Sequence, residues 1–154
     1  MEKHITYSEK ETEDFAYNFA KKLNKNSVLV LSGDLGTGKT RFMRGIANYF
    51  GIQNDVSSPT FTIVNEYNTK INNENIPTIF HFDVYRLNDS EDFENSVGTD
   101  YFSQGLCILE WGEIIKDILP ARTIYITIER NNISNENERL ITIQGGEPYD
   151  TCNR

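Results

Sequence analysis

Eight consecutive residues, Gly33-Asp34-Leu35-Gly36-Thr37-Gly38-Lys39-Thr40, have the spacing G-x-x-x-x-G-K-[ST]. Each residue type in that pattern has a physical use toward phosphate. Glycines permit the φ values of a loop that wraps tightly around an anion. Successive backbone N–H groups of such a loop point inward and form an anion nest. A helix beginning there adds the partial positive charge of its N-terminus. Lys39 places a point charge on the β- and γ-phosphates, and Thr40 offers a hydroxyl to Mg²⁺. Ordinary residue frequencies yield such an octapeptide by chance in roughly one chain of this length in a few hundred. The flanking sequence separates this occurrence from chance: an apolar run precedes it and an amphipathic segment follows, the context the motif requires. The pattern speaks for phosphate and is silent about the base. GTP-binding domains carry an Asn-Lys-x-Asp loop, whereas the nearest string here, Asn24-Lys25-Asn26-Ser27, lacks the Asp and precedes the motif. ATP is therefore the expected nucleotide.

Hydrolysis on such a cradle needs carboxylates, because Mg²⁺ takes oxygen ligands and keeps several waters. An acidic residue at the end of an apolar strand is the usual supply. Glu110 ends the run Leu106-Cys107-Ile108-Leu109, and Asp83 lies within Ile79-Phe80-His81-Phe82-Asp83-Val84-Tyr85-Arg86. Strand alternation puts His81, Asp83 and Tyr85 on one face, opposite Phe80, Phe82 and Val84. That polar face is either a site or an outward-facing solvated surface. Thr60, after Pro59, can sense a γ-phosphate or merely complete a Ser-Pro-Thr turn. Trp111 is either a stacking surface for a base or partner, or a core residue. Arg86 either contacts phosphate or pairs with an acidic neighbour.

The elements that must position these residues follow from periodicity. Ser8-Glu9-Lys10-Glu11 has the form of a capping box. Phe15, Ala16, Phe19, Ala20 and Leu23 then recur at helical spacing, which predicts a helix over about residues 9–23. Residues 28–31, all apolar, predict a central buried strand. A second helix from near Lys39 buries Phe42, Met43, Ile46, Ala47 and Phe50, with Gly51 at its C-terminal cap. Residues 60–67 and 77–85 read as strands joined through the Asn-rich stretch 68–75. Asn88 with Glu91 is the expected cap of a short helix ending before Gly98. Residues 106–109 form another buried strand, residues 114–119 a short helix stopped by Pro120, and residues 122–129 and 139–144 a terminal hairpin. The expectation is one domain over residues 1–154, with a loose tail from about residue 145. Its class is α/β, a three-layer P-loop NTPase-like domain whose sheet mixes parallel and antiparallel strands.

Composition narrows the function classes. The chain has 154 residues, 38% hydrophobic and 25% charged, which reads as globular rather than disordered. Its net charge of −8 and lack of a long basic run argue against binding nucleic acid alone, since that affinity rests on neutralising phosphates with Lys and Arg. Two cysteines, Cys107 in an apolar run and Cys152 in a polar tail, make neither a disulfide framework nor a zinc site. No apolar stretch has the length of a bilayer span or the form of a signal peptide. A reducing cytoplasmic setting, with no membrane and no DNA partner, is the expectation.

Four motifs in order, namely the glycine loop, Ser58-Pro59-Thr60-Phe61 with Asn65-Glu66-Tyr67, His81-Phe82-Asp83-Val84-Tyr85-Arg86-Leu87 and Glu110-Trp111-Gly112-Glu113, resemble the TsaE (YjeE) family of bacterial ATPases. The resemblance covers roughly residues 8–145. It implies a P-loop domain that hydrolyses ATP slowly to ADP and phosphate alone and acts with the TsaB and TsaD proteins. That pair transfers a threonylcarbamoyl group to the adenosine beside the tRNA anticodon. The family's nucleotide cycle supports repeated turnover of the pair and does not perform the transfer, so tRNA is met through the complex. Carried over by position, Lys39 and Thr40 become the phosphate and Mg²⁺ residues. Asp83 and Glu110 become the carboxylates essential to ATPase function; the expected division puts Glu110 with Thr40 on Mg²⁺ and Asp83 on the attacking water, with exchange of the two roles left open. Thr60 becomes the switch threonine and Trp111 the tryptophan near the nucleotide. Two departures stand out: Thr37 where many members have Ala, and Gly112 where Pro is common, which is expected to loosen that turn. Two competing readings are a small-molecule kinase, which needs an arginine-rich lid not found here, and a non-catalytic module ordered by ATP.

Overall fold

The computed structural model describes residues 1–33, 36, 38–52, 64–68 and 78–146. One seven-stranded sheet organises them, in the order β1-β7-β6-β2-β5-β4-β3. In chain order the strands are β1 (Glu2–Thr6), β2 (Val28–Ser32), β3 (Val64–Asn68), β4 (Thr78–Asp83), β5 (Leu106–Glu110), β6 (Ile124–Arg130) and β7 (Arg139–Gly145). The inner four, β6, β2, β5 and β4, run parallel. β3 joins β4 antiparallel at one edge, and β7 then β1 do so at the other. The expected mixed sheet is therefore a parallel centre with antiparallel margins. Parallel strands covered on both faces must be apolar throughout, and Val28, Leu29, Val30 and Leu31 are all buried.

Two apolar layers flank the sheet. On one face α1 (Glu9–Phe19) and α2 (Lys39–Tyr49) pack Ala16, Phe19, Phe42, Met43, Ile46 and Phe50 against Leu29, Leu31, Ile79 and Ile108. On the other, α3 (Ser90–Ser96) and two 3-10 segments, Thr99–Ser103 and Gly112–Ile118, cover Val28, Val30, Phe80, Phe82 and Leu109. Alternate residues of the inner strands feed alternate layers, as a pleated sheet requires. The two helices of the first layer meet at Gly45, where a Cβ would fall 2.7 Å from that of Ala16. Arg41 clamps the crossing through Glu9 at 2.9 Å and Glu13 at 3.0 Å.

Several local expectations hold. Ser8 Oγ accepts from the Glu11 N–H at 3.1 Å, and the Glu11 carboxylate takes the N–H of Tyr7, one residue earlier than in a standard box. α1 ends at Phe19 and continues as a 3-10 turn, Ala20–Lys22. Gly51 follows α2 at φ 73°. Other details differ. α3 is capped by Asp89 with Asp92, not by Asn88 with Glu91, because Asp89 Oδ1 accepts from the Asp92 N–H at 2.9 Å. The segment before Pro120 is a kinked 3-10 run from Gly112 to Ile118 rather than an α-helix from residue 114. Strand β1 was not expected at all: its polar residues sit on the sheet margin, where burial leaves no apolar pattern. Strand order persists through Gly145, and Gly146 N–H donates to Thr123 O at 2.9 Å, so pairing reaches one residue past the expected start of the tail. No helix among the described residues is long and apolar enough to cross a membrane.

Candidate functional site at the strand ends

Parallel strands in an open α/β sheet present a crevice beyond their carboxyl ends. Here β2, β5 and β4 end side by side, with Leu31 opposite Glu110 and Glu110 opposite Asp83. The chain leaves β2 into the glycine loop and returns as α2. Gly33, Gly36 and Gly38 have φ of 151°, 82° and 110°, and the last two lie where a side chain is strained. Gly38 is the N-cap of α2 and contributes no side-chain cap. The first N–H groups of α2 thus open toward the crevice, as an anion site needs.

Lys39, Glu110 and Trp111 meet there. Lys39 Nζ lies 3.8 Å from Glu110 Oε1, and the two side chains are only 12% and 10% exposed. The other carboxylate oxygen, Oε2, accepts from His81 Nε2 at 2.9 Å. Lys39 Nζ also stands 5.5 Å from the centre of the Trp111 ring, within the range of a cation–π contact. Trp111 is 45% exposed and stacks obliquely on Tyr85, with ring centres 5.0 Å apart. A core role for Trp111 is thereby excluded. Among the described residues Trp111 is the one non-glycine with positive φ, at 63°. That conformation costs on the order of 1–3 kcal/mol and is typical of side chains held for a purpose. Gly112 follows it buried against Val30, whose Cγ2 would lie 2.9 Å from an added Cβ. This turn is thus packed shut rather than loosened by its glycine. An open cavity of about 240 Å³ is lined by Leu31, Ser32, Gly33, Lys39, Trp111 and Glu113.

The remaining candidates distribute around this centre. Asp83 ends β4 half-buried beside Glu110, and its Oδ1 accepts from the Tyr85 N–H at 3.0 Å. Thr40 occupies the exposed first turn of α2, and Arg86 is exposed just beyond β4. Asp34, Leu35, Thr37 and Thr60 lie outside the described residues. The alternative of a solvated polar face fails for His81, 2% exposed, whose strand neighbour Ile79 and register partner Ile108 pack in the layer of α1 and α2, while Asp83 is half-buried and Tyr85 is 64% exposed. Among the described residues no three or more His, Cys, Asp or Glu side chains form a metal cage.

Two neighbours of the glycine loop escaped the sequence reading. Arg139, at the start of β7 and 8% exposed, donates from Nη2 to the carbonyl of Gly36 at 3.4 Å. Its Nη1 donates to the carbonyls of Glu138, at 3.0 Å, and Glu136. Arg130, its register partner on β6, also reaches Gly36, with Nη2 4.0 Å from where a Cβ would stand. An arginine opening an otherwise alternating strand was the available signal. Cys107 is buried as expected, and burial pushes its thiol pKa up to about 12.

A glycine loop between a central parallel strand and a helix, with an acidic strand end against its lysine, defines a P-loop NTPase-like α/β domain. Residues 6–141 match the family described as Threonylcarbamoyl adenosine biosynthesis protein TsaE. The chain belongs to that family. A Bacillus subtilis protein described as tRNA threonylcarbamoyladenosine biosynthesis protein TsaE is 41% identical over 148 residues, spanning 94% of this chain and 87% of its own. A Rickettsia typhi protein of the same description is 37% identical over 142 residues, spanning 92% and 93%. The crystal structure of Bacillus subtilis YdiB superposes with a TM-score of 0.72 at 34% identity, over 95% of this chain and 86% of that one.

Proposed function

We propose that this chain is a cytoplasmic, single-domain Mg²⁺-dependent ATPase. Its nucleotide cycle would support threonylcarbamoyladenosine formation in tRNA by a TsaB–TsaD pair. The observation that carries the reading is the Lys39–Glu110 contact at the carboxyl ends of β2, β5 and β4. Without nucleotide, the carboxylate serves as counter-ion to the lysine. With ATP present, Lys39 and the loop N–H groups of residues 33–40 would hold the β- and γ-phosphates, releasing Glu110 from the lysine. The donor set fits Mg²⁺, which prefers a few protein oxygens plus waters and phosphate oxygens to an all-protein cage. Thr40 and either Glu110 or Asp83 would hold it, and bound Mg²⁺ supplies positive charge against the phosphate oxygens.

Phosphoryl transfer then needs positioning and charge neutralisation more than covalent help. Water attacks the γ-phosphorus, and the bond from that phosphorus to the oxygen of ADP breaks. Whichever of Asp83 and Glu110 does not hold the metal orients this water and receives its proton. Trp111 would flank the nucleotide and Arg86 would contact its phosphates. Thr60 would sense the γ-phosphate. The −8 net charge favours meeting tRNA through the partners. Product analysis of the pure protein with Mg·ATP tests the enzymatic part, using Lys39→Ala as control. Free phosphate and ADP support hydrolysis. A phosphorylated small molecule indicates a kinase, and tight binding without turnover indicates an ordered module.

A further inference from the structure

We infer that His81 is a positioning residue for Glu110, holding one carboxylate oxygen so that the other stays directed at the phosphate site; this deepens the ATPase reading and rests on it. His81 and Lys39 meet the carboxylate at different oxygens. Oε2 takes the His81 bond at 2.9 Å, and Oε1 faces Lys39 at 3.8 Å. Both ends of the His81–Glu110 bond are buried enough that water does not compete freely, with His81 at 2% and Glu110 at 8% exposure.

The placement is poorly explained by packing. His81 lies between β5 and β3 on the face where its strand neighbour Ile79 and its register partner Ile108 belong to the apolar layer. A leucine would fill that position without burying polar atoms, and burial of an unpaired polar atom is unfavourable. Yet Nδ1 is buried with no hydrogen-bond partner among the described residues. The imidazole thus makes one bond and leaves its other nitrogen bare. A charged Glu110 requires Nε2–H as donor, so the neutral ring has an unprotonated Nδ1, an acceptor left empty rather than a stranded donor. That tautomer follows from the bonding pattern.

The consequence appears when nucleotide binds. Lys39 turns to phosphate, and the His81 bond still fixes Oε2 as the lysine leaves. Removing a partner that orients a metal-site ligand typically costs about 10- to 100-fold in metal affinity or activity.

Three substitutions separate orientation from bulk. Gln places its amide nitrogen near the His Nε2 position, Asn places its own near Nδ1, and Leu supplies volume alone. The first readout needs neither metal nor nucleotide. The chain has two histidines, so imidazole ¹⁵N spectra resolve His81 from exposed His4. We expect a protonated Nε2 and a bare Nδ1, and the reverse tautomer overturns the inference. The second readout is Mg²⁺ titration followed by the single tryptophan, Trp111, in the presence of a non-hydrolysable ATP analogue. His81→Leu and His81→Asn should raise the half-saturating Mg²⁺ or lower kcat by about 10- to 100-fold. KM for ATP should stay near wild type, and His81→Gln should recover most of the loss. Wild-type protein without Mg²⁺-dependent phosphate release overturns the ATPase reading itself. An active wild type with His81→Leu equally active, or with Gln as impaired as Leu, overturns the role of His81. A loss that follows melting temperature across the three variants also overturns it.

Discussion

Glu110→Gln is the substitution that best isolates the charge at the centre of the site. Glutamine keeps the volume and can still accept from His81, while the ionic partner of Lys39 is removed. At 3.8 Å and an effective dielectric of about 20, the lost attraction is about 4 kcal/mol. Desolvation of the two groups offsets part of this, since buried ion pairs contribute less than their Coulomb energy. Lys39 retains 12% exposure, so a net loss of about 2 kcal/mol is expected in the nucleotide-free protein. For a chain of this size that lowers the melting temperature by about 4–8 °C. The same 2 kcal/mol no longer has to be surrendered when Lys39 turns to phosphate. ATP affinity in chelator, without Mg²⁺, should therefore rise by up to roughly 30-fold. Phosphate release with Mg²⁺ should fall about 100-fold or more if Glu110 positions water or holds the metal. Thermal melting, Trp111 fluorescence titration and a phosphate assay read the three effects. A Glu110→Gln protein that melts with wild type, binds ATP no tighter in chelator and hydrolyses at the wild-type rate refutes the reasoning.

Further expectations follow from neighbouring residues. Asp83→Asn should preserve ATP binding by fluorescence titration while phosphate release falls by about 100-fold, and unchanged release removes Asp83 from the chemistry. Arg139→Ala should weaken ATP binding by roughly 10- to 100-fold, because a charged hydrogen bond under the loop at Gly36 is worth about 1.5–3 kcal/mol; a binding isotherm like wild type contradicts that brace. Cys107, in a Cys152→Ser background, should resist a thiol reagent at neutral pH in the native state and react after denaturation. Burial raises its pKa from 9.0 to about 12, so the folded state disfavours the thiolate. The stability this contributes is complete below pH 9.0 and is lost as pH climbs toward about 12. Cys107→Ala should flatten that alkaline decline in a denaturant titration.

The parts of the fold most legible in the sequence were those where burial imposes a period. The run 28–31 had to be a central strand, and helical spacing of Phe42, Met43, Ile46 and Phe50 had to be a covered helix. The loop between them was visible because its chemistry is local: eight consecutive residues carry it. Long-range pairings were harder. Strand β1 has no apolar alternation because one margin of the sheet stays wet. The cap of α3 moved one residue, since Asn88 and Asp89 offer nearly equal cap chemistry and the backbone chose Asp89. At the site, Lys39 and Glu110 were recognisable by type, yet their 3.8 Å approach depends on β2 and β5 being parallel neighbours. His81 reads as a member of a polar strand face, and its burial depends on the layer packed over Ile79 and Ile108, which strand alternation does not reveal. Arg139 is more than ninety positions beyond the loop it touches, and nothing local links the two.

The proposed nucleotide cycle is one gated by partner proteins. The most direct measurement is phosphate release from Mg·ATP by the purified chain, alone and with cognate TsaB and TsaD, against Lys39→Ala. Slow release alone, accelerated by the pair and abolished in the variant, is the predicted result. Release that the pair leaves unchanged, or that persists in Lys39→Ala, contradicts the account.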